Sequence, residues 1–184
     1  MKKLVVDIMQ EIVDKVSLAM LPQLQALNPA YTGVRFDYGH PADIVGKLVN
    51  YSSTDQFRYQ KYPLIGLFLD FPQTMGESAS VLSSTGLNLF IAVGTEQKYT
   101  PQQRTEMTFK PILYPIKDAL IEQMLLHPAV VTPLNRKFQH THVDRYQWGK
   151  GGLEYYNNGQ KNTFNDYIDA IELLNLKIDF VDDC

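Results

Sequence analysis

The segment Gln139-His140-Thr141-His142-Val143-Asp144 has the residue types and spacing best suited to chemistry in this 184-residue chain. In a strand, alternate residues share a face, so His140, His142 and Asp144 would point together. Two imidazoles and a carboxylate are a ligand set for zinc, or the acid and base of a small hydrolase. His40 and His127 are the remaining histidines, and the one cysteine is Cys184, so nothing nearby in sequence completes the set. A solvated polar strand face is the default for such a segment. Asp166, Asp169 and Glu172 form a second acidic group, which shares a face only if it lies on a helix. His40, between Gly39 and Pro41 at an expected helix start, suits a structural hydrogen bond and has no Ser or Cys partner in view. Gly149-Lys150-Gly151-Gly152 lacks the spacing of a nucleotide-binding loop and reads as a hinge. Arg104, Glu106 and Lys110 on one short helix look like a surface face with local ion pairs. No catalytic residue and no metal site is assigned and no cofactor is expected; His140, His142 and Asp144 are weak metal candidates, and the acidic group could hold a cation only if it shares a helix face.

These residues need elements to position them. Leu4, Ile8, Ile12 and Val16 recur at helical spacing, which predicts a helix over residues 3–21, ending at Pro22. Val34–Tyr38 is a short strand. Pro41 opens a helix reaching about Tyr51, and Ser52–Lys61 follows as a polar loop. Leu64–Phe71 is apolar almost throughout, as a strand buried on both faces would be. Pro72–Ser84 is an excursion rich in Ser and Gly. Gly86–Gly94 is a strand with Leu87, Leu89, Ile91 and Val93 on one face and Asn88, Phe90 and Ala92 on the other. Thr100-Pro101 with Gln103 is a helix start of the capping-box kind. Pro111 predicts a broken helix, residues 101–110 and 112–126. Lys137–Trp148 alternates as an exposed strand, and Asn157-Asn158-Gly159 signals a hairpin turn. Leu174–Phe180 is a strand; upstream, 165–173 fits either a strand with a phase shift near Leu173-Leu174 or a helix.

The sum is an α+β fold: a mostly antiparallel sheet of four or more strands flanked by helices, with long loops or arms. One domain over 1–184 is expected. Residues 1–33 form an N-terminal helix and loop, 34–128 the core, 129–163 an extended arm or hairpin region, and 164–184 a final strand. The composition is 45% hydrophobic with 11 Tyr and 9 Phe, enough for a core and for buried contacts between subunits. A net charge of -3 without basic runs argues against gripping nucleic acid. The single cysteine implies a reducing compartment, and no apolar run predicts a membrane span.

One set of segments carries a resemblance. Tyr38-Gly39-His40 precedes a short helix. Lys61-Tyr62-Pro63-Leu64-Ile65 leads into Leu67-Phe68-Leu69-Asp70-Phe71. Phe109-Lys110-Pro111-Ile112-Leu113-Tyr114-Pro115-Ile116 follows, and Asn165-Asp166-Tyr167-Ile168-Asp169-Ala170-Ile171-Glu172 closes the order. This order resembles small structural proteins of phages and prophages of gut Bacteroidota, including the crAss-like group. More loosely, it is similar to tail-terminator and head–tail joining proteins of tailed phages. The resemblance implies a non-enzymatic virion protein, assembled in the host cytoplasm as a ring of sixfold or twelvefold order. Its partners would be copies of itself and other portal, neck or tail proteins, with DNA passing through a channel without specific binding and no membrane. Tyr146, Trp148, Tyr155 and Tyr156, set among glycines in a loop over 144–163, are the expected interaction residues. Two other classes stay open: a small metal-dependent hydrolase using His140, His142 and Asp144 or the late acidic residues Asp166, Asp169 and Glu172, and a phage-encoded cytoplasmic adaptor.

Overall fold

The structure is a computed structural model and describes residues 4–50, 60–69, 72–75, 83–148, 154–157, 160–163 and 166–181. Helix α1 spans Val5–Leu27 and buries Ile8, Ile12, Val16, Met20 and Leu24 at successive four-residue steps. Its first turn is closed by the Asp7 carboxylate, which accepts the Leu4 backbone N–H at 3.1 Å. Pro22 does not end the helix. It is exposed, and the carbonyl its missing N–H would have served belongs to Leu18, itself exposed, where water can take over. Beneath it Met20 and Leu24 continue the buried stripe.

Strand β1 (Arg35–Gly39), helix α2 (Pro41–Asn50) and strand β2 (Leu64–Phe68) form a crossover unit, with β1 and β2 parallel. All other strand pairs are antiparallel, and the main sheet runs β1-β2-β4-β8-β5, with β3 also pairing β4. These strands are β3 (Gln73–Met75), β4 (Ser83–Gly94), β5 (Thr141–Trp148) and β8 (Ile168–Phe180). β5 starts at Thr141, four residues later than alternation predicts. β6 (Glu154–Asn157) and β7 (Gln160–Thr163) pair as a separate hairpin, the one that the Asn158-Gly159 pair predicts. The turn residues themselves lie outside the described residues, as do 51–59, 76–82 and Gly149–Leu153 within the expected loops.

The break predicted at Pro111 is absent. Helix α3 (Pro101–Arg104), a π-helical stretch (Thr105–Leu113) and helix α4 (Tyr114–Leu126) follow one another without a gap. The start is the capping box foreseen: Thr100 Oγ1 accepts from Gln103 N–H, and Gln103 Oε1 accepts from Thr100 N–H. The widened π turns accommodate the Pro111 ring, with Tyr114 N–H bonding the Phe109 carbonyl five residues back. Pro115 lacks an N–H for the Pro111 carbonyl, and Gln23 Nε2 of α1 donates to that oxygen instead, at 3.0 Å. A side chain from another helix thus replaces the lost backbone bond.

α1 and the α3–α4 rod cover one sheet face, where Ile65, Leu67, Leu87, Leu89, Ile91, Val93, Ile171, Leu173, Leu176 and Ile178 are buried. α2 covers part of the other face, over Leu64, Phe90, Ala92, Ile168 and Ala170. Two bulges adjust the strands. On β8, Leu174 and Asn175 stand opposite Asn88 alone, one residue beyond the predicted phase shift, and no helix forms over 168–173. On β5, Tyr146 and Gln147 stand opposite Asp169 alone, with Gln147 in the left-handed region at φ 53°. That extra residue turns Trp148 to the face opposite Asp144 and Tyr146.

Candidate functional site

Three groups of polar side chains meet around the junction of β8, β5 and the start of the helical rod. The deepest is an ion pair between Arg104 and Asp169, 2% and 0% exposed respectively. Arg104 Nη1 donates to Asp169 Oδ1 at 2.9 Å and to Thr95 Oγ1 at 3.1 Å. Nη2 donates to the Glu96 and Gln97 carbonyls at 2.7 and 3.2 Å, and Nε to the Tyr99 carbonyl at 3.1 Å. All five guanidinium donors are therefore engaged. Asp169 Oδ1 also accepts the Gln147 backbone N–H at 3.0 Å, and Oδ2 accepts from Thr108 Oγ1 at 2.9 Å. One carboxylate thus holds the β5 bulge, the rod and the loop after β4 together. Arg104 is not part of a surface face with Glu106 and Lys110, as its spacing predicts; those two form an exposed pair without it.

The second group lies on the same face at the edge strand β5. His142 and Asp144 do point together, as their spacing predicts, with Nε2 2.7 Å from Asp144 Oδ1. Tyr114 Oη donates to Asp144 Oδ2 at 2.7 Å. That hydrogen bond, then burial, then repulsion from the Asp144 charge push the Tyr114 hydroxyl up to about 12. His140 does not join them: it precedes β5, and its Nδ1 lies 3.0 Å from the Phe138 carbonyl. No group of three His, Cys, Asp or Glu among the described residues could hold a metal ion. A His–Asp pair beside a phenol can move a proton, and that is the chemistry this arrangement offers.

The third group is on the opposite face. Glu172 accepts from Arg145 Nε and from Trp148 Nε1, both at 2.9 Å. Trp148 stacks on Phe90 with ring centroids 5.2 Å apart, and Phe90 stacks on Phe68 at the same separation. Gly66, paired with Phe90 across β2 and β4, makes room for this stack; a Cβ there would lie 2.0 Å from the Phe90 ring.

The predicted acidic group therefore dissolves. Asp169 is buried with Arg104, Glu172 faces the other way, and Asp166 meets Lys61 Nζ and Tyr62 Oη, each at 3.1 Å. His127 is buried against Glu11, and the His40 carbonyl accepts the Asp43 and Ile44 N–H groups at the start of α2. Tyr146 and Trp148 do not sit on a loop. Both belong to β5, and Tyr146 packs on Phe109 at 4.8 Å while its hydroxyl meets Thr105. Tyr155 and Tyr156 have their backbone in β6; their side chains lie outside the described residues, as does the Gly149–Gly152 segment. Sequence inspection missed Thr95, Thr108 and Tyr114; Thr108 and Tyr114 act through partners 61 and 30 residues away, and Thr95 through Arg104, whose burial its spacing does not show.

A cleft of about 220 Å³ opens beside this junction, lined by Leu27, Tyr31, Tyr99, Met107 and Ile112 among others. No helix among the described residues is long and apolar enough to cross a membrane. No protein-family model and no curated protein matches this chain.

Proposed function

We propose that this chain is a non-enzymatic structural subunit of a tailed-phage virion, forming a ring at the neck or head–tail junction in the manner of tail terminators and connectors. The observation that carries this is how the charged groups are used. Arg104 and Asp169 are spent on each other at the β8–β5 junction, with every Arg104 donor held by protein. Such a clamp leaves no guanidinium hydrogen for a substrate and stiffens the frame from which β5 presents its side chains. Tyr146 keeps nearly half of its surface exposed on that frame. A rigid aromatic on an edge strand is well suited to packing against a neighbour, because little entropy is lost on contact. The mild negative charge suits a channel through which DNA slides.

Light scattering with particle microscopy of the purified protein tests this, together with mass spectrometry of purified virions. A discrete ring, and the chain among virion proteins, is the expected result. A persistent monomer missing from particles would defeat it. A second class, a small metal-dependent hydrolase, has only the His142–Asp144 pair behind it, since His140 does not join them. Stoichiometric zinc or manganese that is lost in His142→Ala would move the assignment there.

A further inference from the structure

Two features at opposite ends of the helical face match each other. The first is the cleft at the end of α1. Its rim is formed by Leu27 and Met107, 50% and 56% exposed, and Tyr31 and Ile112 line its wall. α1 ends at this rim without a basic residue in its last turn, so the negative end of the helix dipole stands there, and Glu96 adds a carboxylate to the lining. The cleft thus sets apolar groups at its rim and wall beside polar ones, with the Glu96 carboxylate in its lining.

The second feature is Leu134, whose exposure of 108% exceeds that of a free reference residue. It stands in a turn closed by the Arg136 N–H donating to the Pro133 carbonyl at 2.8 Å. Asn135 Oδ1 accepts the Lys137 N–H at 3.1 Å, and Arg136 holds a φ of 54°. The turn is therefore set before any contact is made. Exposed Arg136 and Lys137 follow the leucine after Asn135. A lone exposed leucine is ordinary on a protein surface. This one stands on a hydrogen-bonded turn near two cations, and the same molecule offers a hollow rimmed by Leu27 and Met107 with a carboxylate in its lining.

The two are far apart. The cleft includes Gly94 at one end of β4, whereas the Leu134 loop is tied to the other end through Val131 N–H and the Asp179 carbonyl, beside Ser83. The 12 residues of β4 place them roughly 35 Å apart. A knob and its hollow at opposite ends cannot meet within one molecule. Between molecules they make a head-to-tail contact, which closes into a ring where the rotation allows.

We propose that Leu134 of one copy, with Arg136 and Lys137 two and three residues further on, seats in the cleft between Leu27 and Met107 of the next copy. This deepens the ring-subunit proposal and takes its biological setting from it. The test uses the full chain as wild type, as Leu134→Asp, as Leu27→Asp and as an equal mixture of the two variants, followed by light scattering. Each variant alone should weaken association at least about tenfold, the effect of losing one buried leucine. The mixture should recover dimers and nothing larger, because one partner brings an intact cleft and the other an intact knob. In a Cys184→Ser background, Leu134→Cys combined with Met107→Cys should crosslink into a ladder beyond the dimer, and neither cysteine alone should do so.

Association untouched by both aspartates, a dimer crosslinked by Leu134→Cys alone, or no ladder at any concentration would each overturn the contact. Rings that persist in both aspartate variants would overturn it while leaving the ring proposal standing. A ladder from a chain missing from virions would do the reverse.

Discussion

Two clusters of nearly the same chemical make-up lie on one face of this sheet, and they have opposite characters. Arg104, Asp169 and Thr108 are a base, an acid and a hydroxyl; so are His142, Asp144 and Tyr114. The first set is sealed under the helical rod, and no hydrogen bond of its guanidinium is left over. The second sits on an edge strand, with His142 and Asp144 each about a third exposed. Taking a charge out of water costs several kcal/mol, so the buried set is stable only because every group is matched. The exposed set has no such requirement, since water screens it and completes it. Chemical type alone therefore does not mark a site; burial and saturation decide whether a cluster is a fastener or a surface group.

The sharpest way to break this comparison is to remove one member of the buried set. Arg104→Ala should destabilise the fold by about 3–5 kcal/mol in denaturant unfolding, because the Asp169 charge stays buried without its partner. Asp169→Asn should cost a comparable amount. It should also shift the emission of Trp148, the only tryptophan, toward the red in the native state, because the Gln147 N–H that sets the β5 bulge loses its charged acceptor. Loss of stability with unchanged native emission would mean that the bulge holds Trp148 without the clamp.

The clamp also shows what was legible in the sequence. Local chemistry read well. The Thr100–Gln103 box, the helix opening at Pro41, the two faces of β4 and the Asn-Gly hairpin each depend on neighbours within a few residues. Asp169 carried a visible signal, since alternation places it on the face of Ile171 and Leu173, where a lone carboxylate needs a buried partner. Which cation answers it was not legible, because Arg104 lies 65 residues away. Pro22 and Pro111 misled as well. Local rules count the lost hydrogen bond; they do not see the π turns that take in the Pro111 ring, or the core that Leu24 still enters. Trp148 was assigned no face, and strict alternation would have put it beside Tyr146; a single extra residue in β5 reverses that.

A milder perturbation sharpens the comparison by straining the aromatic stack without touching either charged set. Gly66→Ala would put a methyl group into the Phe90 ring, itself held between Phe68 and Trp148. Overpacking of this kind costs about 1–3 kcal/mol. The loss should add independently to that of an edge-cluster variant and should disturb Trp148 emission. Strict additivity with Asp169→Asn, in contrast, would show that the stack and the bulge are not coupled, since residues sharing a packed neighbour ordinarily fail to add.

The smallest effect belongs to the exposed set, and it has a defined sign. Asp144 favours the neutral Tyr114 phenol, first through its hydrogen bond and then through its charge, and holds it at about 12 against an ordinary value of 10.0. A group raised in the folded state contributes stability that is complete below its unfolded value and disappears as pH rises through the folded one. The contribution of Tyr114 is therefore present below pH 10 and lost between about pH 10 and 12. Asp144→Asn should bring the phenol back toward 10, visible as an earlier phenolate absorbance in a difference titration against wild type. At neutral pH the same variant should change unfolding free energy by less than about 1 kcal/mol, as screened surface pairs do. If Asp144→Asn instead cost as much as Arg104→Ala, the edge cluster would be a second fastener and the contrast between the two sets would vanish. If stability barely moved and the phenol still titrated near 12, burial of the ring rather than the carboxylate would be what protects its proton.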